Sequence, residues 1–191
     1  MSKKTTYVAF LLDQTGSMWA CKKDVIGGFN QLLKDQKANK KDKLKFSLTL
    51  FNSEEIEKRY VNVDIDEVDN LSDENYVPNN LTPLLDAVGK TIQEIGDEKN
   101  VLFVIYTDGY ENYSKEFKKE QIKQMVKEKE GNGWKFLFLG ADLDNFADAM
   151  GMGIHLHIAT SSSNVKGAYA STSDYVAQYR SGNKNPDWKN Q

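Results

Sequence analysis

Val8-Ala9-Phe10-Leu11-Leu12-Asp13-Gln14-Thr15-Gly16-Ser17 decides how the chain is read. An unbroken apolar run of this length describes a strand buried on both faces. It ends in a carboxylate, and two hydroxyls follow at alternate positions. Beyond them Val25, Ile26, Phe29, Leu32 and Leu33 recur at helical spacing. The segment is therefore a loop at the C-terminal end of a strand, leading into an amphipathic helix. Alternate residues of an extended segment project to one side, so Asp13, Thr15 and Ser17 can converge on one point. Three hard oxygen donors at a strand tip make half of a magnesium site.

Two further runs, 101–106 and 135–140, are nearly continuous in apolar residues and read as buried parallel strands. Residues 44–52 and 59–65 alternate instead, with Leu44, Phe46, Leu48, Leu50 and then Val61, Val63, Ile65 on one side. They predict an antiparallel hairpin toward a sheet edge, turning around Ser53-Glu54-Glu55. Residues 154–158 also alternate and belong at the opposite edge. Between strands the period becomes helical: Leu84, Leu85, Val88, Ile92 and Ile95 form one stripe, and Ile122, Met125 and Val126 a second. Val165, Ala168, Tyr169, Thr172, Tyr175, Val176 and Tyr179 form a third, while 145–150 is at most a short helix. Strands alternating with helices give an open, mostly parallel α/β sheet. No internal repeat interrupts it, and the 191 residues read as one domain over 1–183 with a tail at 184–191.

A net charge of −3 creates no global field for nucleic acid. The basic run Lys37–Lys45 and the acidic stretch 54–74 read as solvated faces. One cysteine, Cys21, excludes an internal disulfide and a thiolate metal cage; its neighbours Lys22 and Lys23 are expected to lower its pKa slightly. The first residues run into the first strand without a signal-peptide core. No apolar stretch approaches the ~18 residues of a membrane span. The expectation is a cytoplasmic chain with no membrane partner.

Ligands of such sheets bind beyond the carboxyl ends of the strands, where strand order reverses. Thr107-Asp108-Gly109 follows the run 101–106, placing a second carboxylate at a strand tip. Thr82-Pro83 opens the helix 83–95, an N-cap followed by proline at the first helical position. Its hydroxyl can cap the helix or hold a metal. Each of these residues taken singly has an ordinary structural use as a cap or a turn.

Together, Asp13-x-Thr15-x-Ser17, Thr82 in Leu-Thr-Pro-Leu-Leu-Asp-Ala, and Asp108 in Thr-Asp-Gly resemble the metal-ion-dependent adhesion site of von Willebrand factor A domains. The resemblance covers roughly residues 5–180; Thr15 stands where the family more often has serine. The ending Tyr179-Arg180-Ser181-Gly182 further resembles small stand-alone members in bacteria and their phages. The resemblance implies an α/β fold of three-layer α/β/α sandwich type, its central sheet mostly parallel with one antiparallel edge strand. It implies Mg2+ or Mn2+ held by Asp13, Thr15, Ser17, Thr82 and Asp108. Two carboxylates only balance the ion's formal charge, so it stays electrophilic and takes an acidic side chain from a partner. That describes a non-enzymatic protein-binding module. Whether the carboxylate belongs to another protein, another copy of this chain or a small acid is left open.

Met18, Trp19, Tyr76, Tyr110, Glu111, Asn112, Tyr113 and Asp142 surround the site in sequence and are candidates for a partner-binding rim. The aromatics among them fit a core equally well, and Asn52 and Asp144 border the crevice more loosely. His155 and His157 share one side of an edge strand, but without further ligands they read as a solvated face rather than a zinc pair.

Two rivals remain. The same Asp13 loop is similar to the aspartyl-phosphate loop of haloacid-dehalogenase-type phosphotransferases, where the aspartate is a nucleophile. That chemistry calls for a lysine, which only Lys90 or Lys99 offers, and it gives Thr82-Pro83 no role. The other rival is the same fold with a metal site that no longer binds. No phosphate loop or dinucleotide fingerprint occurs in the sequence, and nothing supports a Ser-His-Asp triad.

Overall fold

β1 (Thr5–Asp13) is buried from Thr6 onward, and its side chains alternate between two cores. The structure, a computed structural model, describes residues 5–140, 156–159 and 164–183. Val8, Phe10 and Leu12 face α1 (Lys22–Ala38) and α4 (Val165–Ser181). Tyr7, Ala9 and Leu11 face α2 (Leu84–Ile95) and α3 (Lys119–Gly131). Burial on both faces is why this run carries no polar residue between Tyr7 and Asp13.

The other strands are β2 (Lys43–Phe51), β3 (Ile56–Asp64), β4 (Val101–Tyr106), β5 (Lys135–Gly140) and β6 (Leu156–Ala159). They form one sheet in the order β3-β2-β1-β4-β5-β6. Every neighbouring pair is parallel except β2 and β3. The chain lays down β2 and β3 on one side of β1, then returns through α2 to place β4 on the other. Strand order thus reverses between β1 and β4, and their C-terminal tips flank the crevice where ligands of such sheets bind. The fold is a three-layer α/β/α sandwich with one antiparallel edge strand, as the resemblance implies.

The hairpin turn falls at Ser53-Glu54-Glu55, where the Asn52 carboxamide oxygen accepts the N–H groups of Glu54 and Glu55 at 2.8 and 3.0 Å. β3 departs from the expected alternation. Asn62 adopts a left-handed φ of 52° and donates its N–H to Ser47 Oγ at 2.9 Å, while the register with β2 shifts nearby. Such a bulge re-aims side chains: Val61 turns outward at 43% exposure, and only Ile65 of the expected stripe is fully buried.

α1 and α4 are pressed together at Gly28, where a Cβ would collide with the Tyr169 ring. Cys21 is buried in the same core and donates its thiol to the Met18 carbonyl at 3.5 Å. Burial, then the nearby Asp108 charge, pushes its pKa up to about 11, against the slight lowering expected from its lysine neighbours. The short helix expected at 145–150, His155 and the tail 184–191 lie outside the described residues.

Arg180 fastens α4 to the opposite end of the sheet from the crevice. Its guanidinium donates to Asp42 Oδ1 at 2.9 Å, to the Gln36 carbonyl at 2.7 Å and to the Asn39 carbonyl at 2.7 Å. Both charges are buried, with side-chain exposures of 1% for Arg180 and 8% for Asp42. Removing one member of a buried, hydrogen-bonded ion pair costs about 3 kcal/mol or more. Arg180→Ala is expected to lower the free energy of unfolding by about that amount in urea. Arg180→Lys should recover only part, because one ammonium cannot serve all three acceptors.

Candidate metal centre

Asp13 ends β1 fully buried, with both carboxylate oxygens engaged. Oδ1 accepts the Thr15 N–H at 2.7 Å, and Oδ2 accepts the Thr107 hydroxyl at 2.5 Å. The Tyr76 hydroxyl donates to the Asp13 backbone carbonyl at 2.6 Å. The tips of β1 and β4 are thereby tied across the point where strand order reverses. Burial pushes the Asp13 carboxyl up to about 6; the bonds from Thr107 and Thr15 oppose that rise, and the Asp108 charge adds to it. Asp108 itself is half-buried, and its pKa is raised by the same loss of water.

Three hydroxyls meet beside this carboxylate. Thr15 Oγ1 lies 3.2 Å from Ser17 Oγ, and Thr82 donates its hydroxyl to Thr15 Oγ1 at 3.2 Å. A Cβ placed on Gly109 would stand 2.8 Å from Thr82 Oγ1 and 3.2 Å from both Asp13 Oδ2 and Ser17 Oγ. Oxygens from two separate loops therefore surround one small space, which the glycine of a third loop leaves open. Adjacent ligands of an octahedral magnesium at its usual bond length lie about 3 Å apart, so the hydroxyl spacings fit that ion. Asp13, Thr15 and Thr82 are buried whereas Ser17 is exposed, so the cradle is open to solvent on one side. Among the described residues no group of three or more His, Cys, Asp or Glu side chains is arranged for a metal. A donor set of two carboxylates and three hydroxyls is of a different kind.

Thr82 does not cap α2. That helix starts at Leu84, preceded by Pro83, and the Thr82 hydroxyl turns to Thr15 instead. The loop after β4 supplies the cap: Glu111 Oε2 accepts the Leu85 N–H at 2.8 Å, and Ser114 Oγ accepts the Asp86 N–H at 3.0 Å. Asp86 returns the favour by accepting the N–H groups of Lys115, Glu116 and Phe117 at 2.8, 3.0 and 2.8 Å. Asn112 clamps Thr82 itself, accepting its N–H at 2.8 Å and donating to its carbonyl at 3.1 Å. On the other flank, Gly16 N–H bonds the Asn80 carbonyl and Asn79 N–H the Gln14 carbonyl, each at 3.0 Å.

The candidate rim divides. Met18 and Tyr76 are fully buried and belong to the core, because the 3₁₀ turn Gly16–Cys21 directs Met18 inward and Tyr76 reaches under the strand tip to Asp13. Trp19 and Tyr110 are exposed, at 56% and 67%. Glu111 and Asn112 are engaged as cap and clamp, and the Tyr113 ring lies 4.3 Å from the Lys115 ammonium. Asn52 forms the hairpin turn and bonds Asn79 at 2.8 Å; Asp142 and Asp144 lie outside the described residues. Thr107 and Gly109, read in the sequence only as the setting of Asp108, and Glu111 and Asn112, expected at the rim, serve instead as supports of the site.

No protein-family model and no curated protein sequence matches the chain. Solved structures do. The vWF domain of the type V pili tip protein Mfa5 from Porphyromonas gingivalis superposes with a TM-score of 0.64 at 10% identity, over 100% of this chain and 99% of that one. The von Willebrand factor type A protein from Catenulispora acidiphila gives 0.62 at 10% identity, over 89% of this chain and 42% of that one. The fold is vWA-like. Manganese-loaded TRAP from Plasmodium vivax shares it with a TM-score of 0.53 at 12% identity, over 88% of this chain and 73% of that one. The chain spans less than half the length of some relatives, among them a proximal thread matrix protein from the mussel byssus at 46%. Identities this low establish the fold alone.

The buried carboxylate of this vWA-like crevice makes stability depend on pH with a definite sign. The Asp13 carboxyl sits at about 6 in the folded chain against an ordinary value of 3.8. Between those values the folded chain holds more protons than the unfolded one. The associated stability is therefore fully present below about pH 4 and is lost as pH rises through about 6. Ionisation costs the metal-free protein about 3 kcal/mol. Asp13→Asn is expected to flatten that dependence when urea unfolding is compared at pH 5 and pH 7.5 without metal. An unchanged pH profile would place the titrating group elsewhere.

Proposed function

We propose that the chain is a metal-dependent protein-binding module, with Mg2+ or Mn2+ held by Asp13, Thr15, Ser17, Thr82 and Asp108. The observation that carries this reading is the convergence of Thr82 Oγ1, Asp13 Oδ2 and Ser17 Oγ around the open space at Gly109. All the donors are hard oxygens, the kind that magnesium and manganese prefer. The ion would supply an electrophilic centre. The chain's own groups orient it: Thr107 and Thr15 hold the Asp13 carboxylate, and Asn112 holds Thr82. The solvent-facing side at Ser17 leaves room for a glutamate or aspartate from a partner.

The phosphotransferase rival finds less support. Lys90, one of its two candidate lysines, is paired with Glu116 at 2.6 Å. Among the similar structures one is a pili tip protein and one a thread matrix protein of the mussel byssus by their names; here the module's partner is argued only from the chemistry of its face.

Calorimetric titration of Mg2+ and Mn2+ into wild type, Asp13→Ala, Thr82→Ala and Gly109→Ala tests the site. One ion per chain is expected in wild type, with affinity reduced about tenfold or more in each variant. Gly109→Ala is the sharpest arm, since it leaves every donor in place and puts a methyl group where the oxygens converge. Equal affinity in all four proteins rejects the site. Phosphate release from a generic phosphoester, lost in Asp13→Asn, would restore the enzyme reading.

A further inference from the structure

Five large apolar side chains are exposed among the described residues, and four of them are Trp19, Val77, Leu81 and Tyr110. All four belong to the loops that hold the oxygen donors. Trp19 lies two residues after Ser17, Leu81 precedes Thr82, and Tyr110 follows Gly109. The Val77 carbonyl accepts the Gln14 carboxamide at 3.1 Å, which places it against the Asp13 loop. Single exposed apolar residues need no explanation, but large ones gathered around a polar centre mark an interaction surface. Polar groups between them are already bonded within the chain: Ser53 Oγ to the Leu81 N–H, Asn52 to Asn79, and Asn112 to Thr82.

Outside this apolar ring the acidic charge lies on one side. Glu54 and Glu55 are exposed on the β2–β3 turn, which Ser53 ties to Leu81. On the other side Asp73 is paired with Lys22 at 3.2 Å, and the Lys22 ammonium lies 4.9 Å from the Trp19 ring, so that flank is balanced in charge. The face therefore has an oxygen-lined centre, an apolar ring and an acidic margin at the β2–β3 turn.

We infer that the partner is a protein loop carrying one carboxylate among apolar side chains, with basic residues further out. This rests on the metal-binding reading above. The carboxylate reaches the ion, the apolar flanks cover Trp19, Val77, Leu81 and Tyr110, and the basic residues meet Glu54 and Glu55. A polyacidic segment would set its extra charges against the acidic margin, where like charges suppress association. A small dicarboxylic acid would leave the apolar ring in water. Tryptophan and tyrosine are also the residue types that most often dominate interface energetics.

The test is a selection of disulfide-constrained random loops, displayed on phage, against the manganese-loaded wild-type protein. The enriched loop is then measured on wild type, on Trp19→Ala/Tyr110→Ala and on Glu54→Lys/Glu55→Lys, with manganese titrated separately into wild type and the first variant. The expected consensus is a single aspartate or glutamate between apolar residues, with lysine or arginine outside. Its affinity falls about tenfold or more in Trp19→Ala/Tyr110→Ala while manganese affinity stays the same, and about threefold in Glu54→Lys/Glu55→Lys. A polyacidic or acid-free consensus, no enrichment, or full affinity in either double variant overturns the inference. Wild-type protein that takes up no manganese removes the metal reading and this inference together; manganese uptake with a failed selection removes the inference alone.

Discussion

A carboxylate buried at the meeting of two strand tips is the constraint around which this crevice is organised. Asp13 has lost its water, and the groups that act on it among the described residues are hydroxyls, an amide and another carboxylate rather than a cation. Buried charge without a cation is costly. The chain offsets part of that cost with short bonds from the Thr15 amide and the Thr107 hydroxyl, while Tyr76 fixes the carbonyl beneath. The remaining cost appears as the raised pKa. A divalent ion in the adjoining cradle would offset it, which gives the arrangement a physical reason that helix capping does not supply.

The five proposed donors come from two pieces of the structure. Asp13, Thr15 and Ser17 ride on the end of β1 and the turn that follows. Thr82 and Asp108 ride on a unit made by lacing the start of α2 to the loop after β4. Glu111 and Ser114 cap the helix, Asp86 holds the 115–117 backbone, and Asn112 clamps Thr82. Thr107 Oγ1 to Asp13 and Thr82 Oγ1 to Thr15 are side-chain bonds between the pieces, beside the backbone bonds of Gly16 to Asn80 and Asn79 to Gln14. An ion held by all five donors would join the same two pieces at the same seam. Metal binding and crevice rigidity are then one property.

The parts of this account that were legible in the sequence are those with a local signal. The strand cores 7–12, 101–106 and 135–140, the hairpin at Ser53-Glu54-Glu55 and the edge position of the last strand follow from period and burial. The five proposed donors sit on strand tips and a helix start, which periodicity alone locates. What escaped depends on bonds between residues far apart in the chain. Nothing in the sequence near Tyr76 says that its hydroxyl ends at Asp13, or that Glu111 caps a helix beginning at Leu84. The Thr82-Pro83 pair has the look of a cap because its local chemistry suits one; Thr15 and Asn112, supplied by tertiary structure, win the competition. The bulge at Asn62 likewise defeats a strict alternation that Val61, Val63 and Ile65 invite.

The claim at the centre of this account is that oxygens from three loops converge on one divalent ion beside Gly109. Paramagnetic broadening by Mn2+ in amide NMR spectra reads that point directly, because the effect falls off steeply with distance from the ion. At substoichiometric manganese, the amides of Thr15, Gly16, Ser17, Thr82, Asp108 and Gly109 should broaden first, and excess Mg2+ should restore them. Broadening that begins instead at the acidic margin around Glu54 and Glu55, or that spreads evenly over surface carboxylates, would contradict it.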